Sequence, residues 1–201
     1  MARIYPQTSS SSCSSYSSTS TYVTTKREIF TLWMKSLVFH GNGCAVFDSK
    51  GQLVYRIDNY NKKCSKQVHL MDLHGTVLFS LLKKKSSLFG HWNGYKMDEE
   101  IPCFQVRKNG NLLTGDLNYD VIFGCDNIAD TNSYKIFALP GKLGFKIVNK
   151  ENRLIAEVKQ KQSSSAIQFG DDVLSLIVEA NVDHSLVMAL VTVYGLIRHM
   201  L

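Results

Sequence analysis

Three consecutive lysines, Lys83, Lys84 and Lys85, lead into Phe89, Gly90, His91, Trp92, Asn93, Gly94 and Tyr95. Ammonium groups beside phenyl and indole rings suit one chemistry well: the rings enter the headgroup layer of a membrane while the cations hold its phosphates. Lys83, Lys84, Lys85 and Trp92 are therefore the candidate contacts to an anionic lipid surface. The plain alternative is a pair of strands that simply pack, with lysines at their solvated ends. A run of three lysines also falls short of the basic cluster of roughly 5–8 residues that marks a nuclear-import or heparin-type patch. Looser groups stand at Lys62, Lys63 and Lys66, and at Lys159 and Lys161.

Other reactive side chains do not assemble into a site. His69 and His74 flank a turn at a spacing that matches no zinc pattern, so satisfied strand or surface histidines account for them. Cys13, Cys44, Cys64, Cys103 and Cys125 are odd in number with no close pair. That fits neither a disulfide framework nor a Cys-x-x-Cys metal site, and it suits a reducing compartment. Asp171, Asp172 and Asp183 flank the last strand without the dense oxygen ligands of a calcium loop, and turn or capping roles are expected of them. Gly41, Asn42 and Gly43 read as a turn into a strand rather than as a phosphate cradle. Walker, dinucleotide-binding, His-Glu-x-x-His and Gly-x-Ser-x-Gly motifs are missing, and no nucleophile stands with an oriented base. No catalytic, cofactor-binding or metal-binding residue is assigned, and the chain reads as a binding protein rather than an enzyme. Trp33, Phe39, Trp92, Tyr95 and Tyr119 are spread as the core aromatics of strands are, so nucleic acid is not an expected partner.

Length and composition bound the scaffold that must position these residues. A chain of 201 residues suits one domain, and barrels commonly run past about 200 residues as single units. A hydrophobic share of 44%, a charged share of 20% and a mean hydropathy of −0.09 exclude a multi-span membrane protein. The net charge of +6 favours anionic partners. Residues 1–26 read as a disordered Ser-rich tail, dense in phosphorylatable hydroxyls, ahead of a domain over 27–201. The tail lacks the apolar h-region of a secretory signal, and its lone Arg3 and absent amphipathic period argue against organelle import. A monomeric intracellular protein is expected, cytoplasmic or peripheral on a membrane, with nuclear residence left open.

One unit recurs along the chain: two apolar residues, Asp or Asn, two residues, Gly or Asn, one residue, then an apolar strand. It starts at Val46, Leu70 and Ile147, with Asp48/Gly51, Asp72/Gly75 and Asn149/Asn152 at its key positions. The first polar residue caps its own backbone and the second accepts a positive φ, which together reverse the chain into a hairpin. Asn109 and Gly110 supply a further hairpin candidate. Strands are expected at 30–39, 44–47, 53–58, 67–71, 77–82, 104–107, 119–123, 134–138, 145–148, 154–159 and 172–182. With three prolines and turn signals every 10–15 residues or so, an antiparallel meander or closed barrel follows. Asp183 then opens a helix over about 184–199 that is apolar on every side. Its uninterrupted apolar stretch, 186–197, reaches about 18 Å against a bilayer core of roughly 30 Å, which points to a buried core helix.

Several segments in one order resemble the plant LURP-one-related family. They are Phe30-Thr31-Leu32-Trp33-Met34-Lys35-Ser36-Leu37, Asn42 through Gly51, Tyr55-Arg56-Ile57-Asp58-Asn59-Tyr60 and Leu70-Met71-Asp72-Leu73. The ending Ser175-Leu176-Ile177-Val178, then Asp183 and Met188-Ala189-Leu190-Val191, is similar to that family's last strand and helix. The resemblance implies the fold of tubby C-terminal domains and phospholipid scramblases, a twelve-stranded β-barrel around a hydrophobic helix. It further implies membrane-tethered regulators that hold phosphoinositide headgroups, with a role in plant defence signalling. Tubby proteins grip the headgroup with a Lys and an Arg on neighbouring strands, and no position here matches that motif, so no binding residue is carried over. The expected partners are an anionic, phosphoinositide-containing membrane surface or, alternatively, proteins held by a scaffold without lipid affinity. A lipocalin-type small-ligand carrier is disfavoured, because a helix filling the barrel leaves no cavity.

Overall fold

The computed structural model describes residues 21–34, 42–59, 67–84, 91–97, 99–109, 118–124, 133–139, 144–162, 170, 172–198 and 200. Twelve strands precede one helix: β1 (Glu28–Trp33), β2 (Asn42–Phe47), β3 (Leu53–Asn59), β4 (Gln67–Asp72), β5 (Val77–Lys83) and β6 (Trp92–Lys96), then β7 (Phe104–Asn109), β8 (Asn118–Phe123), β9 (Ser133–Ala138), β10 (Phe145–Asn149), β11 (Leu154–Gln160), β12 (Val173–Val178) and α1 (His184–Ile197). Every strand pairs antiparallel with its neighbour in the chain. β1 also pairs with β12, from Glu28↔Val178 to Trp33↔Val173, and this closes the barrel. Closure leaves no strand edge to template association with another chain.

The recurring turn unit does what its chemistry requires. The Asp48 carboxylate accepts from the N–H groups of Lys50 and Gln52 at 2.9 and 2.8 Å, and Asp72 does the same for His74 and Thr76 at the same distances. In the third copy the Asn149 side chain accepts from Arg153 N–H at 2.8 Å. Gly51 and Asn152 take φ of +78° and +60°, the left-handed conformation that glycine and asparagine adopt most readily. Each copy also shifts the strand register between its two apolar residues, at Val46/Phe47, Leu70/Met71 and Ile147/Val148. The repeat thus encodes a turn and the bulge that adds twist to a closing barrel. The Asn109-Gly110 candidate falls on the 110–117 connection, outside the described residues.

Alternation along the strands sends one set of side chains inward. Phe30, Leu32, Tyr55, Ile57, Phe79, Leu81, Phe104, Val106, Val121, Ile136, Ile147 and Leu176 are buried there. They meet α1, whose Val187, Met188, Ala189, Leu190 and Val193 are fully buried, in one continuous core. The helix runs lengthwise through the barrel: His184 packs on Phe30 and Tyr55 near one mouth, and Tyr194 on Tyr119 and Phe145 near the other. An all-round apolar helix is satisfied here by an all-round apolar wall.

Several boundaries differ from the expectations above. The first strand ends at Trp33 rather than Phe39, with 35–41 outside the described residues, and the last spans Val173–Val178 rather than 172–182. β6 is an additional strand. Its inward row is Trp92, Gly94, Lys96, so a glycine and a lysine interrupt the apolar alternation that marks a strand in the sequence. Residues ahead of β1 also touch the start of the helix. Thr24 C=O accepts from Asn181 N–H at 2.7 Å, Tyr22 C=O from His184 N–H at 2.9 Å, and Val23 bridges to Asp183.

Candidate functional site

In an antiparallel barrel successive connections alternate between the two mouths. The tight Asp48, Asp72 and Asn149 turns therefore share the mouth where α1 begins, and the other mouth holds the end of α1. The two mouths differ in charge. The N-terminal mouth is mixed, carrying Glu28, Asp48, Asp72, Glu99, Glu100, Glu151, Glu179 and Asp183 beside Lys26, Arg27, Lys50, Lys96, Lys150 and Arg153, with Arg27 and Glu179 paired at 2.7 Å. The C-terminal mouth carries Lys83, Lys84, Lys108, Lys161 and the helix cap Arg198 against one carboxylate, Asp172, on the described part of its connections.

Lys83 and Lys84 close β5, and both are exposed. Lys84 N–H donates to His91 C=O at 2.8 Å, which brings the start of β6 alongside. Across β6, Arg107 projects from the outer face of β7, its guanidinium donating to Gln105 Oε1 at 2.7 Å. Among the described residues no carboxylate pairs with Lys83, Lys84 or Arg107: the Asp120 opposite Arg107 accepts from Asn109 instead. The pKa of His91 is held below its ordinary value, first by burial and then by the cations Arg107 and Lys84, so the patch carries positive potential.

Lys85 lies outside the described residues. Trp92 requires correction as a lipid contact: it is 3% exposed, faces the core from β6 and pairs across to Lys83 and Val106. Its inward position is set by strand alternation with Gly94, which turns the indole away from any outer surface. Arg107 and His91 were not singled out in the sequence, where neither stands in a charge run. The signal for Arg107 was its outward place after the inward Val106.

The opposite mouth holds a second cluster. Asp183 caps α1, its carboxylate accepting from Ser185 and Leu186 N–H at 2.9 and 3.2 Å and from Ser185 Oγ at 2.6 Å. Tyr22, Phe30 and Tyr55 surround His184. Tyr55 Oη and His184 Nδ1 are hydrogen-bonded at 2.6 Å, with the tautomer of the ring setting which of them donates. Burial holds the His184 pKa below its ordinary value, opposed by Asp183 and Glu28. Burial first, and then Asp72 and Asp183, raise that of Tyr22. A histidine with a lowered folded pKa binds fewer protons folded than unfolded, so stability is whole above about pH 6.5 and is lost as pH falls through the folded value. The urea midpoint is accordingly expected to drop from about pH 7.5 to about pH 5.5, and His184→Gln to flatten that dependence. An unchanged slope in the variant would assign the acid sensitivity to other groups.

This closed barrel, filled by its own last helix and carrying a basic mouth, belongs to the LURP-one-related family, whose model matches residues 28–195. The chain is 43% identical to "Protein LURP-one-related 4" of Arabidopsis thaliana, covering 98% of this chain and 87% of that one. It is 40% identical to "Protein LURP-one-related 11" of the same plant, covering 98% and 89%. An X-ray structure of another Arabidopsis thaliana protein superposes with a TM-score of 0.60 at 14% identity, over 85% of this chain and 90% of that chain, and so shares the fold.

Proposed function

We propose that this protein is a non-enzymatic binding module that lays the C-terminal mouth of its barrel on an anionic, phosphoinositide-containing membrane surface. The grouping of Lys83, Lys84 and Arg107 around His91, none of them ion-paired among the described residues, carries the reading. The helix occupies the barrel interior, which supports recognition on the outside rather than in a cavity. No described helix is long and apolar enough to cross a bilayer. A role in plant defence signalling rests on the family resemblance alone. The alternative is a protein scaffold without lipid affinity, for which Leu73 and Ile101, 53% and 62% exposed at the opposite mouth, are the natural contacts.

The test is co-sedimentation of the full chain with vesicles of neutral lipid, phosphatidylserine or phosphoinositide at low and near-physiological salt. Each basic residue near an anionic leaflet contributes about 1 kcal/mol, so Lys83→Glu with Lys84→Glu is expected to weaken binding at least about thirtyfold. Phosphoinositide-selective pelleting that survives salt supports the membrane reading. Pelleting no greater than with neutral lipid overturns it in favour of the scaffold.

A further inference from the structure

We propose that Trp33 is the apolar anchor of this barrel, its indole entering the headgroup layer of an anionic bilayer while the cations of the same mouth hold lipid phosphates. The proposal rests on the membrane reading above and adds to it a residue and a mode of contact. Trp33 is the last residue of β1, at the C-terminal mouth. The alternation of β1 turns Phe30 and Leu32 into the core and Ile29, Thr31 and Trp33 outward, and Trp33 is 40% exposed, a large share for an indole.

The ring is presented by paired backbone. Trp33 lies opposite Val173 on one side and Ala45 on the other, and the next residue, Met34, donates its N–H to Asp172 C=O at 2.8 Å. Lys161 belongs to the same corner. Its N–H donates to Val173 C=O at 3.1 Å, and its Nζ donates to Thr31 Oγ1 at 2.6 Å, two residues from Trp33 on the same outward face. Below the ring the outward row of β1 and β12 passes through the polar pair Thr31 and Ser175 before Ile29 meets Ile177. An exposed amphipathic ring at the barrel's rim, beside polar side chains and a lysine, is the arrangement tryptophan adopts at membrane–water interfaces.

The placement of charge selects a surface over a peptide. Lys83 and Lys84 end β5, four strands round the barrel from β1, and Arg198 caps the helix that emerges between them. An anionic surface laid across this mouth suits cations at the ends of β5 and α1 together with Trp33. An extended peptide on the β1–β12 wall would leave Lys83 and Lys84 without contact.

The chain contains two tryptophans, and the other, Trp92, is buried, so any response of emission to vesicles reports Trp33. The experiment titrates the full chain with vesicles of phosphatidylcholine alone or with phosphatidylserine or phosphatidylinositol bisphosphate, following emission wavelength, quenching by lipids brominated near the headgroup, and pelleting. The expected result is a blue shift and quenching with anionic vesicles, both abolished by Trp33→Phe, and an affinity lowered roughly tenfold or more by Trp33→Ala. Pelleting with unshifted, unquenched emission, or unchanged affinity in Trp33→Ala, overturns the anchor and leaves a purely electrostatic tether. Failure to pellet with any anionic vesicle overturns both the anchor and the membrane reading.

Discussion

Leu190→Asp is expected to leave no folded barrel, whereas Leu190→Ala should fold with a lowered urea midpoint. Leu190 is fully buried in the middle of α1, between Met188 and Val193, which are equally buried. Thr192, two residues on, already donates its hydroxyl to Met188 C=O at 2.8 Å. A carboxylate there would lack solvent and partner alike, at an effective cost of several kcal/mol, and the whole folding free energy of a domain is only about 5–15 kcal/mol. Truncation to alanine removes buried methyl groups and leaves a cavity, at about 2–5 kcal/mol. Near-UV circular dichroism and urea unfolding separate the three proteins. A cooperative Leu190→Asp transition at the wild-type midpoint would mean that α1 is not the centre of the core.

Gly94→Ala is the second large effect expected, in a position that looks permissive in sequence. Gly94 lies on the inward row of β6 opposite Phe104, and a Cβ added there would come within 2.2 Å of the Phe104 ring. The ring has little room to yield. It is fully buried and packs on Phe79 with centroids 6.0 Å apart. Overpacking of this kind costs about 1–3 kcal/mol and rises with side-chain size, so Gly94→Val should be worse than Gly94→Ala. Phe104→Leu, itself destabilising, should make Gly94→Ala less harmful in combination, because the two residues share one space. Additive losses in that double-mutant cycle would show that the alanine is accommodated elsewhere.

The fold was legible where local chemistry and global pattern agree. Asp48, Asp72 and Asn149 announce turns because a short polar side chain next to a positive-φ residue has few other uses, and the all-round apolar run after Asp183 needs an enclosing wall. β6 was harder to read because its core face depends on the absence of a side chain at Gly94, filled from the neighbouring strand by Phe104. No periodicity along β6 itself records that exchange. The candidate site divides similarly. Lys83 and Lys84 are visible as a run, but the two tryptophans trade the roles expected of them: Trp92 is core and Trp33 is exposed. Which face of a strand meets α1 and which meets solvent is fixed by register around the closed barrel, and a ring near a strand end carries no mark of that choice. The contacts of Tyr22 and Thr24 with the start of the helix were also hidden, since they depend on backbone groups that any residue could supply.

The order of the chain has a consequence for its synthesis. The wall is closed by β1 against β12, pairing Glu28 with Val178, and it is filled by α1, which follows every strand. During translation the strands therefore emerge with inward faces bare, and with β1 and β11 each lacking a neighbour, until β12 and α1 have followed them. Formation of the native core therefore waits for α1, and it depends on contacts of high sequence separation that form slowly. Ribosome-bound chains stalled before the helix has emerged should engage chaperones that bind apolar strands, and full-length released chains should not. A premature stop anywhere before α1 would then be a failure of quality as much as of activity, yielding an open, sticky sheet instead of a smaller working protein.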